Sequence, residues 1–540
     1  VRGKIRWEPT PELSATLAAD YADAKDEGPW AVQAITGTGP TIGEGVAAAR
    51  GITIPDIRNQ RPVYAGEGKP LIHGEGWGQS LTLQWDAEAF SVKSITAHRN
   101  DESSGFLDLD GTPLPLFYFK TFLKSNVWQQ ELTVASKGDG PFTWLGGAYY
   151  LRLRDGYQEL DQNVGISFPY TPAKLAALPA GSAHVDQYSY VTIKSTGVFG
   201  EVSYAFTPRD KLTLGARYTD EKQSLDPRSN SVTIIPNGAG GLRVLPANSY
   251  SALCAATPTC KGLSTPFQRW TYRGVYTHQF DDDVMAYASY NRGFKSGVYN
   301  ISTISAANLT ATRPETVNAF EAGVKSQWMD RRLTLNGAVY YNDYKDLQVP
   351  VTTPGNNTQV SVNAARAKIA GVELEGRLQA TEHLTLQAGG SIFLKAKYDS
   401  FPNCSVYTAN PAGGNITTSA DCSGRRLPGT PNSVNLRADY EVPLASGATV
   451  NFNGLFAHQS SFNYAPYANA ATKAPEQKAI ETINLSATWR AADKHLYASV
   501  WGRDLADQSR VFRGLFTTGF GYESTFTRGA TYGVTVGFDY

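Results

Sequence analysis

The sequence predicts an all-β protein whose strands form an antiparallel β-barrel that crosses a membrane. Three observations predict it: long runs of alternating apolar and polar residues, a regular succession of short turns and long connections, and an unusual composition. The 540 residues include 51 glycines, 29 tyrosines and 10 tryptophans. Such a composition suits a barrel in which only every second strand residue faces lipid. No run of about 18 apolar residues is present, so no transmembrane helix is predicted.

The strands are predicted from alternation with a period of two. Residues 211–219, 384–394 and 482–490 each place apolar side chains on one face and polar side chains on the other. At about ten residues or more, these runs exceed the usual strand of a soluble protein and are long enough to cross a bilayer when tilted. Each run therefore predicts a membrane-spanning strand.

The connections alternate strictly between two lengths. Short turns are predicted at 7–12, 86–88, 137–140, 208–210, 281–283, 329–331, 381–383, 445–447 and 491–493. Long polar connections are predicted at 23–75, 100–123, 155–188, 224–265, 294–314, 349–357, 398–430, 461–477 and 504–526. An outer-membrane barrel has this pattern because its periplasmic turns are short and its extracellular loops are long. A soluble propeller could share the composition, but it has no reason to alternate in this way.

This pattern predicts about 19 strands, the first near residues 1–7 and the last at 527–540. Both terminal strands run toward the periplasmic side. Single-chain bacterial barrels have an even number of strands and begin and end on that side. An odd number of strands is therefore expected upstream, and residues 1–540 are interpreted as one transmembrane β-barrel domain that is incomplete at its N-terminus.

Several segments resemble the TonB-dependent receptor family of outer-membrane active transporters, in the order in which the family has them. They are Tyr-Asn-Arg-Gly-Phe-Lys-Ser-Gly-Val-Tyr-Asn at 290–300 and the segments 320–326, 332–348, 371–376, 427–431 and 531–540. The family has barrels of 22 strands around a plug. The resemblance thus implies that strands 4 to 22 are present, and that the plug, the TonB-binding segment and the first strands are absent from this chain.

The resemblance implies import of a scarce solute, most often a ferric siderophore or a similar iron complex. Carbohydrate, vitamin, haem and aromatic-compound uptake remain alternative substrates, and a passive diffusion channel or a structural barrel in an outer-membrane assembly remains an alternative function. The implied partners are outer-membrane lipid, the periplasmic TonB protein contacting the missing N-terminal region, and an extracellular small-molecule ligand. The implied location is the outer membrane of a Gram-negative bacterium.

Composition and motifs argue against several other functions. The 49 basic and 49 acidic residues balance, so nucleic acid is not an expected partner. The seven histidines are scattered, and none has the spacing of a metal site. No catalytic constellation is present, so we expect no enzyme, no cofactor and no bound metal.

Four cysteines form two local pairs, Cys254 with Cys260 and Cys404 with Cys422, both in stretches rich in Gly, Pro, Ser and Asn. Such pairs are typical of disulfides that close loops in an oxidising compartment. Zinc binding is the alternative, but the spacings fit no common zinc motif and no histidine is near.

Candidate site residues follow from the barrel prediction. Glu373, Glu375 and Arg377 alternate with apolar residues, which predicts that they face the lumen, either as an ordinary solvated wall or as contacts for a plug or solute. Ligand recognition is expected in the long loops, where aromatic and cationic side chains are candidates, although loop aromatics also pack loops together. These candidates are Phe117, Tyr118, Phe119, Arg425, Arg426, Phe462, Tyr464 and Tyr467.

Two further predictions concern tryptophans and one lysine. Aromatic girdles at the membrane interfaces are expected to include Trp77, Trp85, Trp128, Trp144 and Trp501. Lys295, in the segment 290–300, is a possible substrate ligand, but a structural role for that segment at the outer end of a strand is favoured.

Overall fold

The computed structural model describes residues 1–26, 33–35, 51, 72–108, 117–164, 183–228, 233–236, 242–245, 263–301, 310–352, 359–409, 415–464, 476–508, 511–517, 521–526 and 529–539. The secondary structure within these ranges is strand and turn, and none of it is helix. None of the described residues lies in a helix that is long and apolar enough to span a bilayer.

Nineteen strands belong to one large antiparallel sheet, and all strands are numbered along the chain. The first ten of the sheet are β1 (Arg2–Thr10), β2 (Leu13–Asp26), β4 (Ile72–Asp86), β5 (Phe90–Asp108), β6 (Phe117–Ser136), β7 (Phe142–Val164), β8 (Ala183–Ala205), β9 (Asp210–Arg228), β12 (Ser264–Gln279) and β13 (Val284–Lys295). The other nine are β14 (Glu315–Trp328), β15 (Leu333–Thr352), β16 (Gln359–Gln379), β17 (Leu384–Ser400), β20 (Ser433–Pro443), β21 (Thr449–Gln459), β24 (Ile480–Arg490), β25 (Leu496–Arg503) and β28 (Thr531–Phe538).

Shorter strands lie within the long connections and pair among themselves. They are β3 (Gln33–Ile35), β10 (Thr233–Pro236), β11 (Leu242–Leu245), β18 (Cys404–Ala409), β19 (Asn415–Ala420), β22 (Phe462–Asn463), β23 (Glu476–Gln477), β26 (Val511–Thr517) and β27 (Gly521–Phe526). They form the small sheets β10–β11, β18–β19, β22–β23 and β26–β27–β3.

In the large sheet each strand pairs with the next one along the chain, so the sheet is an up-and-down meander. Short turns connect strands at one end, which we call the turn end, and long connections join them at the other, the loop end. The predicted fold class and the predicted count of 19 strands are confirmed. Several strands run further into the predicted long connections than expected: β5 continues to Asp108 and β6 begins at Phe117. Backbone pairing explains this, because the hydrogen-bond ladder continues where the apolar alternation has ended.

The two faces of the sheet differ in polarity. Opposed residues share a face, and one face, the apolar face, carries Leu214, Val339, Leu374, Leu485 and Val534, which are 51–71% exposed. An apolar surface of this extent is unfavourable in water and is typical of a barrel wall in contact with hydrocarbon. The opposite face, the polar face, carries opposed polar pairs on neighbouring strands, namely Glu373–Ser391, Gln387–Arg437 and Asn453–Ser486.

Aromatic residues lie in two rows on the apolar face. Those near the turn end include Trp7, Trp85, Trp144, Trp328 and Trp489, and those near the loop end include Tyr21, Trp77, Trp128, Tyr150 and Trp270. Four of the five predicted girdle tryptophans belong to these rows. The prediction for Trp501 is wrong. Its register partners are Ser486 and Gly533, and its indole N–H donates to Thr535 at 3.0 Å on the polar face.

Large rings on the polar face lie against glycines of the neighbouring strand. A Cβ on Gly371 would be 2.5 Å from the Tyr340 hydroxyl, and a Cβ on Gly533 would be 2.7 Å from the Trp501 ring. Because the glycines have no side chain, these rings can lie close to the sheet instead of standing away from it.

Candidate functional site

The segment that follows β13, residues 296–301, crosses the polar face at the loop end, and we call it the strap. On one side it bonds to β8, β9 and β12. Gln223, which is 2% exposed, donates from its side-chain nitrogen to the Gly297 carbonyl at 2.7 Å. The Ser189 hydroxyl donates to the Ile301 carbonyl at 2.9 Å, and the hydroxyls of Tyr299 and Thr265 are 2.7 Å apart.

On its other side the strap bonds to β15 and β16. The Asn300 amide donates to the Ser361 carbonyl at 3.2 Å and accepts from the Ser361 N–H at 2.7 Å. The Gln348 side chain donates to the Ser296 carbonyl at 2.8 Å. Strap contacts therefore reach from β8 to β16, strands that are far apart in the meander. The strap therefore connects these distant strands to one another at the loop end.

Close packing fixes the start of the strap. A Cβ on Gly297 would be 1.9 Å from the Thr312 carbonyl oxygen and 2.6 Å from the Phe267 ring. Val298 and Thr312 are joined twice, by Val298 N–H to the Thr312 hydroxyl and Thr312 N–H to the Val298 carbonyl, each at 2.9 Å. The segment 290–300 thus has a structural function, as favoured from the sequence. Lys295 itself is exposed and opposes Glu315 in the β13–β14 ladder.

Replacing Asn300 by Ala tests the attachment of the strap to β16. The reciprocal pair of hydrogen bonds to Ser361 is lost, and we expect the local free energy of opening at Ser361 to fall by about 2 kcal/mol. Amide hydrogen exchange of the β16 segment at Ser361 measures this. Asn451, a polar-face asparagine near the turn end, provides the matched control as Asn451→Ala, which is expected to leave exchange at Ser361 unchanged. Equal exchange in Asn300→Ala and the native chain would contradict the attachment.

A second feature of the loop end is a small hydrophobic core, which we call the loop-end core. A disulfide joins Cys404 to Cys422, the pairing expected from the sequence, and both residues are almost completely buried. The core contains Val349, Ala365, Ala367, Tyr398, Phe401, Cys404, Val406 and Cys422. It therefore holds the connection between β17 and β20 against the upper parts of β15, β16 and β17. Cys254 and Cys260 lie outside the described residues.

The two arginines of this connection have different surroundings. Arg425 is half-buried, and its carbonyl accepts from the Tyr398 N–H at 3.0 Å. Arg426 is exposed and opposes Lys397, and its guanidinium bonds to the carbonyl and hydroxyl oxygens of Thr430 in its own connection. Arg426 thus stabilises the local backbone. A role of either arginine in ligand binding stays a prediction.

The aromatic candidates Phe462 and Tyr464 lie in the next connection along the chain. The rings of Phe462 and Tyr464 are 5.1 Å apart at a tilt of 58°. Partial burial raises the pKa of the Tyr464 hydroxyl above its usual value, so it is protonated at neutral pH. The Gly429 N–H donates to the Asn463 carbonyl at 3.1 Å, which joins this connection to the one that carries Arg425. Tyr467 lies outside the described residues.

The third aromatic group differs from its prediction. Phe117, Tyr118 and Phe119 were expected in a loop, but the structure places them in β6, where their backbones oppose Val164, Asn163 and Gln162 of β7. Regular pairing with β5 and β7 extends β6 beyond its apolar segment. The three residues do not adjoin the arginine and aromatic candidates along the sheet, because β6 and β20 are separated by many strands.

Glu373, Glu375 and Arg377 lie on the polar face of β16, and the intervening Val372 and Leu374 lie on the apolar face. Ion pairs elsewhere on the polar face link strands that are separated by one strand: Arg99 of β5 bonds to Asp20 of β2 across β4 at 2.9 Å, and Arg273 of β12 bonds to Glu201 of β8 across β9 at 2.9 Å. Within the described ranges no group of three or more His, Cys, Asp or Glu side chains is placed to hold a metal ion. The wall is thus polar and internally paired.

Sequence reasoning missed most of the strap contacts. Gln223, Gln348 and Asn300 carry the strap, yet none was singled out as a site residue. The one sequence signal was the segment 290–300, which contains Gly297 and Asn300 but does not indicate their distant partners.

Residues 6–505 match the family model described as TonB dependent receptor-like, beta-barrel. The chain is similar in structure to the ferric yersiniabactin uptake receptor FyuA from Yersinia pestis, with 16% identity, a TM-score of 0.71, and coverage of 100% of this chain and 70% of that one. It is also similar to the siderophore receptor PiuA from Acinetobacter baumannii, with 15% identity, a TM-score of 0.69, and coverage of 100% of this chain and 74% of that one. A third similar structure is the ferric citrate transporter FecA, with 13% identity, a TM-score of 0.65, and coverage of 99% of this chain and 69% of that one. At these identities the structural likeness shows a shared fold.

Proposed function

The chain belongs to the TonB-dependent receptor family of outer-membrane β-barrels, and from that premise we propose that it imports a ferric siderophore or a similar iron complex. Members of the family are transporters of Gram-negative outer membranes and not enzymes. The loop end is therefore extracellular and the turn end periplasmic. The finer assignment, to an iron complex, is supported by the chemistry of the loop end.

One observation carries this proposal: two extracellular connections that bear different ligand-binding chemistry are joined. The bond between Gly429 and Asn463 brings the connection with Arg425 next to the connection with Phe462 and Tyr464. A guanidinium binds carboxylate and other anionic oxygen donors, and aromatic rings stack on flat ligands. Ferric chelates combine both properties, because oxygen donors surround the metal and many are built on aromatic rings.

The polar face supports passage of such a solute. The rings that lie over Gly371 and Gly533 are held close to the wall, and Glu373, Glu375 and Arg377 provide polar groups along the same face. We propose that TonB, the periplasmic protein for which the family is named, supplies the energy for transport, by contacting a region N-terminal to the barrel.

Binding of ligand to the intact protein tests the proposal. Protein purified from outer membranes is titrated with a panel of ferric catecholates, hydroxamates and citrate, alongside haem, cobalamin and oligosaccharides, and intrinsic tryptophan fluorescence is followed. We expect saturable binding of at least one ferric chelate and none of the metal-free oligosaccharides. Binding of an oligosaccharide, haem or cobalamin in place of every ferric chelate would contradict the iron assignment.

Arg425→Gln tests the contribution of the cation. If Arg425 bonds to an anionic chelate, its removal is expected to weaken binding about tenfold, because a charge-assisted hydrogen bond is lost. Arg331→Gln is the matched control, since it removes the same charge at the periplasmic turn end, where Arg331 pairs with Asp283 at 2.9 Å. Unchanged affinity in Arg425→Gln would remove this residue from the binding site.

A further inference from the structure

Three basic residues lie directly opposite one another on the apolar face of β7, β8 and β9. Arg152 opposes Lys194, and Lys194 opposes Lys222. All three side chains are exposed. Opposed residues have Cβ atoms about 5 Å apart, and like charges in this arrangement repel and destabilise the sheet. A row of three cations therefore requires an explanation.

The row lies at the outer edge of the extracellular row of aromatic residues, where Arg152 opposes Trp128 of β6. Arg152 is two residues beyond Tyr150 on β7, and Lys222 is four residues beyond Tyr218 on β9, in both cases toward the loop end. Tyr150 is 41% exposed, and Tyr218 contacts Trp270 with ring centroids 5.2 Å apart. Because aromatic girdles mark the boundary of the hydrocarbon, the three cations are at the level of the lipid headgroups of the outer leaflet.

Neighbouring basic residues on the same face are paired, in contrast to this row. Lys124 bonds to Glu102, and Arg154 is 3.9 Å from Asp226 and stacks over Tyr190 at 4.3 Å. Asp220, two residues from Lys222, is the nearest carboxylate of β9 on the same face, and it accepts from Gln268 at 3.4 Å. Among the residues that the structure describes, no carboxylate forms an ion pair with Arg152, Lys194 or Lys222.

We propose that Arg152, Lys194 and Lys222 together bind a phosphate group of an anionic lipid in the outer leaflet. Phosphate accepts several charge-assisted hydrogen bonds at once, and a guanidinium can bond to it in bidentate fashion. One bound phosphate offsets the repulsion within the row. The lipid is favoured over a soluble anion because the row faces outward at headgroup level, away from the polar face, and aromatic residues such as Tyr150 and Tyr218 lie on its membrane side.

The test compares lipid binding to the full chain and to two variants. The triple variant Arg152→Gln, Lys194→Gln and Lys222→Gln removes the row. The charge-matched control Lys93→Gln, Lys211→Gln and Lys325→Gln removes three exposed lysines of the polar face near the turn end. Each protein in nonionic detergent is titrated with lipid A, with dephosphorylated lipid A and with inorganic phosphate, and bound ligand is measured by native mass spectrometry. Folding is checked by heat-modifiable mobility, and Lys194→Gln alone replaces the triple variant if that variant fails to fold.

We expect lipid A to bind the triple variant about 100-fold more weakly than the native chain, and the control to bind as the native chain does. Dephosphorylated lipid A is expected to bind all three proteins equally weakly. Equal binding of lipid A by the native chain and the triple variant would overturn the proposal. So would binding of inorganic phosphate as tightly as lipid A, because the site would then belong to a soluble anion.

Discussion

Adding one methyl group at Gly297 is expected to detach the strap from the extracellular end of the barrel. The new Cβ would be 1.9 Å from the Thr312 carbonyl oxygen, and the Phe267 ring, at 2.6 Å, blocks movement in another direction. Backbone cannot yield as a flexible side chain can, so the strap has to move. We expect Gly297→Ala to lower the local stability of the strap by about 3 kcal/mol, at the upper end of overpacking effects.

Two measurements would show the detachment. Amide hydrogen exchange is expected to increase at Val298 and Ser361, whose N–H groups donate to Thr312 and Asn300. Affinity for the proposed solute is expected to change at the same time, because the strap lies on the polar face at the loop end, where the solute is proposed to enter. Gly293→Ala is the matched control, since its Cβ would meet Val317 at an ordinary 3.4 Å. Native exchange rates in Gly297→Ala would show that the strap does not depend on this contact.

The strands of the barrel could be predicted from sequence because the alternation that marks each strand lies within one short segment of the chain. Residues 384–394 alternate without interruption, and the structure has β17 at Leu384–Ser400. Trp501 could not be placed, because residues 496–501 contain large apolar or aromatic side chains in both phases of the alternation. Only pairing with Ser486 and Gly533 determines its face.

The extracellular site was only partly predictable for a related reason. Cys404 and Cys422 are 18 residues apart in one connection, so their pairing could be inferred locally. The strap contacts are not local: Gln223 and Gly297 are 74 residues apart, and Ser189 and Ile301 are 112 residues apart. No periodicity in a single sequence indicates such a pair. Phe117 was misplaced because polarity, which marks a loop in most proteins, does not end a strand whose ladder continues beyond the membrane.

The strap and the loop-end core depend on the same two strands. Gln348 holds the strap, and the next residue, Val349, is buried in the core. Ser361 bonds to Asn300 of the strap, and the next residue, Val362, packs against the core. Adjacent residues of β15 and β16 therefore point to different partners. Loosening one feature is expected to loosen the other, because a strand segment moves as a unit.

Removing the disulfide is expected to have a comparably large effect. Cys404→Ala with Cys422→Ala leaves two small apolar side chains in the buried sites, whereas serine would bury hydroxyl groups. Loss of a cross-link across 18 residues is expected to lower the stability of the loop-end core by about 3 kcal/mol. Hydrogen exchange at the Cys422 N–H, which donates to the Phe401 carbonyl at 2.9 Å, measures the change. The native chain under a reductant is the matched comparison and is expected to behave as the double variant does.

Combining this double variant with Gly297→Ala tests whether core and strap are coupled. If they share β15 and β16 as a unit, the core variant alone increases exchange at Ser361, although Ser361 is bonded to the strap and not to the disulfide. The effects of the two changes on Ser361 are then expected to be non-additive by about 1 kcal/mol, as for other residues that share partners. Strict additivity, with Ser361 unaffected by loss of the disulfide, would show that the extracellular end consists of two independent parts. Coupling would mean that a ligand that bonds to the connection carrying Arg425 also acts on the strap, and so on the opening itself.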